Sequence, residues 1–175
     1  MDAITLQRIE TIHPILRIEL RQIYKEICEA ITSPYALFRF SQVLRSFNEQ
    51  EALYAQGRTK PGAIVTNARG NESYHNYGMA VDIVQLLDKD KNGTFETASW
   101  DTILDADGDG IADWLEVVKI FNKYGWQWGL FNKNGKRYDL PHFQKNFGYS
   151  IKELKAAKKD RNGYVLFDSY GVLAA

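Results

Sequence analysis

Apolar residues recur at helical spacing in two stretches near the start of the chain: Leu6 and Ile9 between Thr5 and Thr11, then Leu16, Leu20, Ile23 and Ile27 between Pro14 and Ile31. This repeat turns one face of a helix toward a core, so both stretches are predicted as helices. Pro14 suits the first turn of the second, where its missing N–H leaves no bond unmade. The run Leu37-Phe-Arg-Phe-Ser-Gln-Val-Leu-Arg45 has the content of a strand, with Arg45 at its exit. Phe47–Gln56 reads as a short helix stopped by Gly57. A Pro61-Gly62 turn and the apolar Ala63-Ile-Val-Thr66 follow.

Beyond Gly78 the pattern alternates. Met79, Val81 and Ile83 fall on one face of a strand, while Ala80, Asp82 and Val84 fall on the other. Asp82 therefore projects from a strand beside a small residue. Residues 88–110 are rich in Asp and Gly and read as loop. A helix from about Ile111 to Tyr124 turns Trp114, Leu115, Val118 and Phe121 to one side and stops at Gly125. Trp126–Trp128 and Pro141–Phe143 read as short strands. Ile151 to about Lys159 reads as a last, basic helix whose charges form a solvated face.

At 175 residues the chain has the length of one domain with its own core, and a single domain over 1–175 is expected. Lys plus Arg and Asp plus Glu both number 22, so the chain lacks the excess positive charge that holds nucleic acid or an anionic membrane. No apolar run approaches the ~20 residues needed to span a bilayer. The opening Met1-Asp-Ala-Ile-Thr5 lacks the basic start and apolar stretch of a secretory signal. Synthesis in the cytoplasm is therefore expected, with action outside it depending on release or delivery, as by a holin system or a delivery particle. Cys28, the single cysteine, lies in a helical pattern and is expected as a buried thiol.

The chemistry concentrates in two segments. Ser73-Tyr-His-Asn-Tyr-Gly-Met-Ala-Val-Asp82 places His75 before a glycine turn and Asp82 on the strand that follows; Asp139-Leu-Pro-His-Phe-Gln144 supplies His142 with a carboxylate three residues before it. Two imidazoles and one carboxylate make a three-ligand zinc set, which leaves the fourth position open for water as catalytic sites do. A water nucleophile needs a base, and Asp139 is the candidate because its chain is tied to His142. Pro141 disfavours a helical Leu140, so Asp139 and His142 must converge through a bend. Arg45 offers a permanently charged fork of donors for the negative charge of a tetrahedral intermediate.

These residues carry a resemblance. Ser73-x-His75-x-x-Gly78-x-Ala80-x-Asp82, together with Asp139-x-x-His142, resembles the zinc peptidases of the D-alanyl-D-alanine carboxypeptidase and dipeptidase family. Within it, residues 44–62, Asp113–Phe121 and Gly125-Trp-Gln-Trp-Gly129 are most similar to L-alanyl-D-glutamate endopeptidases of phage endolysins and bacterial cell-wall hydrolases. The likeness runs from about Thr5 to Tyr149. It implies an α+β fold of the Hedgehog/DD-peptidase type, a small antiparallel sheet with helices packed around it. It also implies a peptidoglycan stem peptide as substrate, zinc on His75, Asp82 and His142, Asp139 as base, Arg45 as oxyanion partner, and Ser73 and Gln50 touching substrate. Arg58, within the same resembling stretch, is the second candidate for the functional arginine. Leu130 stands where the family usually has a second glycine, and the loop beyond it to Arg137 departs from the pattern, which bears on substrate preference rather than on the metal. The rival readings are a D-alanyl-D-alanine carboxypeptidase or dipeptidase with the same machinery, and a non-catalytic module that holds peptide.

A second metal motif lies apart from these residues. Asp105-Ala-Asp-Gly-Asp-Gly-Ile-Ala-Asp-Trp-Leu-Glu116 matches the twelve-residue calcium loop: Asp105, Asp107, Asp109 and Asp113 as carboxylates, Gly110 for the turn, Ile111 offering its carbonyl, and Glu116 at the end. An earlier run from Asp88 to Gly93 begins the same way but has Ser99 where the glutamate belongs, and is expected not to bind. His13 has no matching partner and reads as a structural histidine.

Overall fold

Asp2 starts the first helix. Its carboxylate accepts from Thr5 N at 2.9 Å and Thr5 Oγ1 at 2.8 Å, capping α1 (Ala3–Ile9), and Arg39 grips the same group at 2.8 Å to tie the helix to the first strand. In this computed structural model, which describes residues 1–132, 134–168 and 172–174, a 3-10 turn (Pro14–Leu16) leads into α2 (Arg17–Ala30). Helix α2 buries Leu20, Ile23, Tyr24 and Ile27, the face its periodicity predicts. Strand β1 (Ala36–Gln42) buries Ala36, Phe38 and Phe40 on alternate positions. Helix α3 (Phe47–Ala55) opens with a reciprocal cap between Ser46 and Glu49 and ends ahead of Gly57, which sits at φ 72°.

The sheet is antiparallel throughout, in the order β1, β2 (Ala80–Leu87), β5 (Arg137–Gln144), β4 (Gln127–Phe131), with β3 (Thr97–Ser99) also on β2. Helices α1, α2 and α4 (Asp113–Lys123) supply much of the core against it. Trp114 and Phe121 meet Phe38, Phe40 and Phe143 there. The small helix α5 (Ile151–Ala156) adds Leu154. Beyond it the chain doubles back, with bridges Lys159–Val165 and Phe167–Leu173. This is the expected α+β arrangement. Among the described residues no helix is long and apolar enough to cross a membrane.

The structure corrects several expectations. Helix α4 begins at Asp113 rather than Ile111, and Leu115 is 47% exposed while Val117 is buried, because the residues sharing a helical face with Trp114 are 117, 118 and 121. The span 88–110 is not all loop, since Thr97–Ser99 pairs with Gln85–Leu87. The short strands expected around Trp128 and His142 are the inner ends of a longer hairpin, Gln127–Phe131 with Arg137–Gln144, buried at the β5 end. Helix α5 stops at Ala156, three residues early, because Lys159 turns into its bridge. Cys28 is exposed rather than buried, since it follows Ile27 on α2 and falls off that helix's apolar face.

Candidate active site

Sheet register brings the donors together. Asp82 on β2 and His142 on β5 are direct cross-strand partners, so their side chains leave the sheet on the same face. His75 comes from a 3-10 turn (Tyr74–Tyr77) just before β2, capped by Ser73 Oγ, which accepts from His75 N at 3.3 Å. Gly78 ends that turn at φ 65°, where a Cβ would meet His13 N at 2.6 Å; no side chain fits. Arg45 is held beside the turn by Arg45 N donating to His75 O at 3.1 Å and Asn76 Nδ2 donating to Arg45 O at 2.9 Å.

The three donor atoms form a nearly equilateral triangle: His75 Nε2 to Asp82 Oδ1 3.1 Å, His142 Nδ1 to Asp82 Oδ1 3.0 Å, and His75 Nε2 to His142 Nδ1 3.2 Å. Tetrahedral zinc with bonds near 2.0–2.1 Å sets its ligands roughly 3.3 Å apart, so the triangle fits. The outer nitrogens decide the tautomers. His75 Nδ1–H donates to Val43 O at 2.7 Å and His142 Nε2–H to Gln144 Oε1 at 3.0 Å, which leaves the two inner nitrogens as lone pairs aimed at one point. Two lone pairs and a carboxylate around one point call for a cation. Without a metal ion the imidazoles can supply that positive charge only by taking protons on their inner nitrogens: burial opposes ionisation of Asp82, but a charged His75 and hydrogen bonds from both imidazoles would then hold its pKa well below the carboxylate range. Burial likewise disfavours a charged His142, yet Asp82 and Gln144 raise its pKa.

Asp139 and His142 are three apart, which on a regular strand means opposite faces. A positive φ of 54° at Asp139, opposite a register shift between Trp128 and Leu130, supplies the bend, and both residues line the same cleft of about 430 Å³. Asp139 stands at its lip. The cleft wall crowds its carboxyl enough that burial, and then the charge of Asp82, raise its pKa; His142, His75 and Arg45 oppose the shift. Arg45 Nη2 reaches Asp82 Oδ2 at 3.4 Å, Nη1 donates to Gln50 Oε1 at 2.9 Å, and the buried Nε has no partner.

Gln50 needs correcting. It is fully buried, and its amide nitrogen donates to Ala68 O at 2.8 Å, so it braces Arg45 from behind the wall instead of touching substrate. Ser73 does line the cleft. Arg58 does not: it stacks on Tyr54 and binds Tyr54 O, Thr66 O and Asn67 Oδ1. Sequence reasoning missed Val43 and Gln144 as partners of the ligands. Gln144 was within reach, since it sits two residues from His142 and so on the same strand face. His13 is structural as expected, 5% exposed, with Nε2 donating to Val165 O at 2.8 Å.

In the loop 105–116 the carboxylates of Asp105, Asp107 and Asp113, and those of Asp107, Asp109 and Glu116, offer oxygens within 4.8 Å of one another. Burial first, then the four aspartates, push the Glu116 pKa up to about 7. Ile111 lies in the same turn with its side chain exposed. The Asp88 run takes a matching course, with positive φ at Lys91 and Gly93 as at Gly108 and Gly110, and brings Asp88, Asp90 and Glu96 together.

The family model for D-alanyl-D-alanine carboxypeptidase, of peptidase family M15, matches residues 66–145, the stretch holding all three donors and Asp139. The chain is 44% identical over 130 residues to the peptidoglycan L-alanyl-D-glutamate endopeptidase CwlK of Bacillus subtilis, covering 72% of this chain and 73% of that protein. It belongs to this family of zinc peptidases. Among solved structures it is similar to the Serratia marcescens L-Ala D-Glu endopeptidase ChiX, at 23% identity and TM-score 0.49 over 84% of this chain and 90% of that one. It is also similar to the vancomycin-resistance D,D-dipeptidase VanXYg, at 21% identity and TM-score 0.47 over 90% of this chain and 64% of that one.

Proposed function

We propose that this zinc peptidase hydrolyses the stem peptide of peptidoglycan at the bond between L-alanine and D-glutamate. The observation that carries the chemistry is the carboxylate of Asp139, placed beside a three-donor set inside an open cleft. The bond assignment is supported by the similarity to CwlK. His75, Asp82 and His142 would hold a zinc ion, which when bound would supply a Lewis acid for the scissile carbonyl and lower the pKa of a water toward ~7. Asp139 accepts the proton of the attacking water, which its raised pKa equips it to hold, and passes it to the leaving amine. Arg45, braced by Gln50 and Asp82, meets the negative charge that develops on the carbonyl oxygen. Val43 and Gln144 keep both imidazoles in the tautomer that binds metal. A module that only held peptide would have no use for Asp139 at this position.

Digestion of purified muropeptides, with products identified by mass spectrometry, tests the reading. Chelator abolishes cleavage and zinc restores it, with free L-alanine-terminated fragments as product. Release of terminal D-alanine with the L-alanyl-D-glutamate bond intact establishes the carboxypeptidase or dipeptidase reading instead.

We also infer that the loop 105–116 takes calcium. The sequence pattern is supported by Asp107 Oδ1 and Glu116 Oε2, both buried without a hydrogen-bond partner, and by the crowding of five carboxylates that a divalent cation would relieve. Calcium should raise the melting temperature of the zinc-loaded protein. No shift at millimolar calcium, with none bound in a titration, ends the inference.

A further inference from the structure

The cleft does not stop at Asp139. It continues into a second cavity of about 680 Å³, walled by Val65 and Leu130, and both cavities share Glu72 and Asp139. Arg45, Asp82, the two histidines and Asp139 are occupied by the chemistry. Among the described residues Glu72 is the one other charged side chain lining either cavity. Its pose is fixed on one side, where Oε2 accepts from Arg69 N at 3.1 Å. The other oxygen is loosely held, 3.6 Å from Lys155 Nζ, with the two side chains 43% and 38% exposed.

A stem peptide cut beside γ-linked D-glutamate is mostly anionic, carrying a free α-carboxylate next to the scissile bond and another at its end. A carboxylate in the cleft wall repels such a chain unless it meets a cation. The peptide has one to offer, the side-chain amine of the diamino acid that follows D-glutamate. We propose that Glu72 is a specificity residue that binds this ammonium, with Oε1 exchanging Lys155 for the substrate. The proposal rests on the stem-peptide reading above. It names the feature that separates substrates with a free third-residue amine from those in which the amine is blocked or cross-linked.

The test uses two synthetic muramoyl tripeptides that differ only in acetylation of the third residue's side-chain amine. The zinc-loaded wild type should favour the free amine by roughly three- to fivefold in kcat/KM, mostly through KM, the size of one partly exposed ion pair. Glu72→Gln keeps an acceptor for Arg69 N and should bring the ratio close to one. Lys155→Met removes the competitor and should widen the wild-type ratio, which keeps the test open if Glu72→Gln folds poorly. A wild type indifferent to acetylation, an unchanged ratio in Glu72→Gln, or an unchanged ratio in Lys155→Met overturns the proposal. The product masses report the bond cut in the same digest: cleavage elsewhere refutes the L-alanyl-D-glutamate assignment, while the ratio still decides Glu72.

Discussion

Replacing Asp139 with asparagine separates the base from the metal. The side chain stands at the cleft lip and makes no hydrogen bond to another described residue, and the amide has the same size. Folding should therefore change by less than about 0.5 kcal/mol. The three donors and their partners Val43 and Gln144 are untouched, so zinc stays. What disappears is a proton acceptor, and general-base catalysis is typically worth ~10²–10⁴ in rate, or roughly 2.7–5.5 kcal/mol of barrier. Zinc content measured by plasma mass spectrometry should remain at one per chain. Turnover, followed by chromatography of the released peptide, should fall by at least about a hundredfold. His142→Ala is the contrast, losing metal and turnover together. Zinc-loaded Asp139→Asn within a few-fold of wild type would falsify the base assignment, and loss of zinc would move Asp139 into the metal's own ligand shell.

Gln144→Leu leaves His142 Nε2–H buried without its acceptor, so zinc affinity should fall by roughly 10–100-fold in a competition titration with a chelating dye; unchanged affinity would show that the orientation of the ring is set elsewhere. Gly78→Ala forces a side chain into a left-handed position 2.6 Å from His13 N, and thermal melts should show a loss of about 1–3 kcal/mol together with weaker zinc binding. His13 should make stability pH-dependent. Burial lowers its pKa from the ordinary 6.5, against the pull of Val165 O and Asp160, with Arg17 adding to the shift. The unfolded chain then binds the proton more tightly, so this contribution is complete above about pH 6.5 and is lost as the pH falls below it. Melts of the zinc-loaded protein across that range should show a shallower decline in His13→Gln; an identical decline would assign it to other groups.

Where periodicity was strong, sequence and structure agree. The faces of α2 and β1, the alternation around Asp82 and the glycine stop after α3 all follow from local preference. The metal triad could be found because histidines and an aspartate at those spacings have few other uses. What stayed hidden depends on partners distant in the chain. Three residues, Thr97–Ser99, become a strand only because β2 offers them an edge. The outer part of the β4–β5 hairpin, around Phe131 and Arg137, is exposed and carries no alternation to announce it. Gln50 looks like a substrate contact until burial shows both ends of its amide engaged. The bend that joins Asp139 to His142 was inferable from Pro141, but its form, a positive φ at Asp139 itself, was not.

Strand β2 changes partner midway along one edge. Residues 80–82 pair with β5, residues 85–87 pair with β3, and two of the three metal donors, Asp82 and His142, sit at the fork. Past His142, β5 peels away with β4 alone, and their hairpin forms the far wall of the cleft. The sheet thus divides labour by position: the paired stem fixes the ligands, while the free prong can lengthen, shorten or change its residues without moving a single donor atom. Leu130 and the loop that follows it lie on that prong. A chain built this way can be retuned toward a new cell wall by editing the tip of one hairpin, with its metal ligands held in place, provided the bend that carries Asp139 on the same prong is kept.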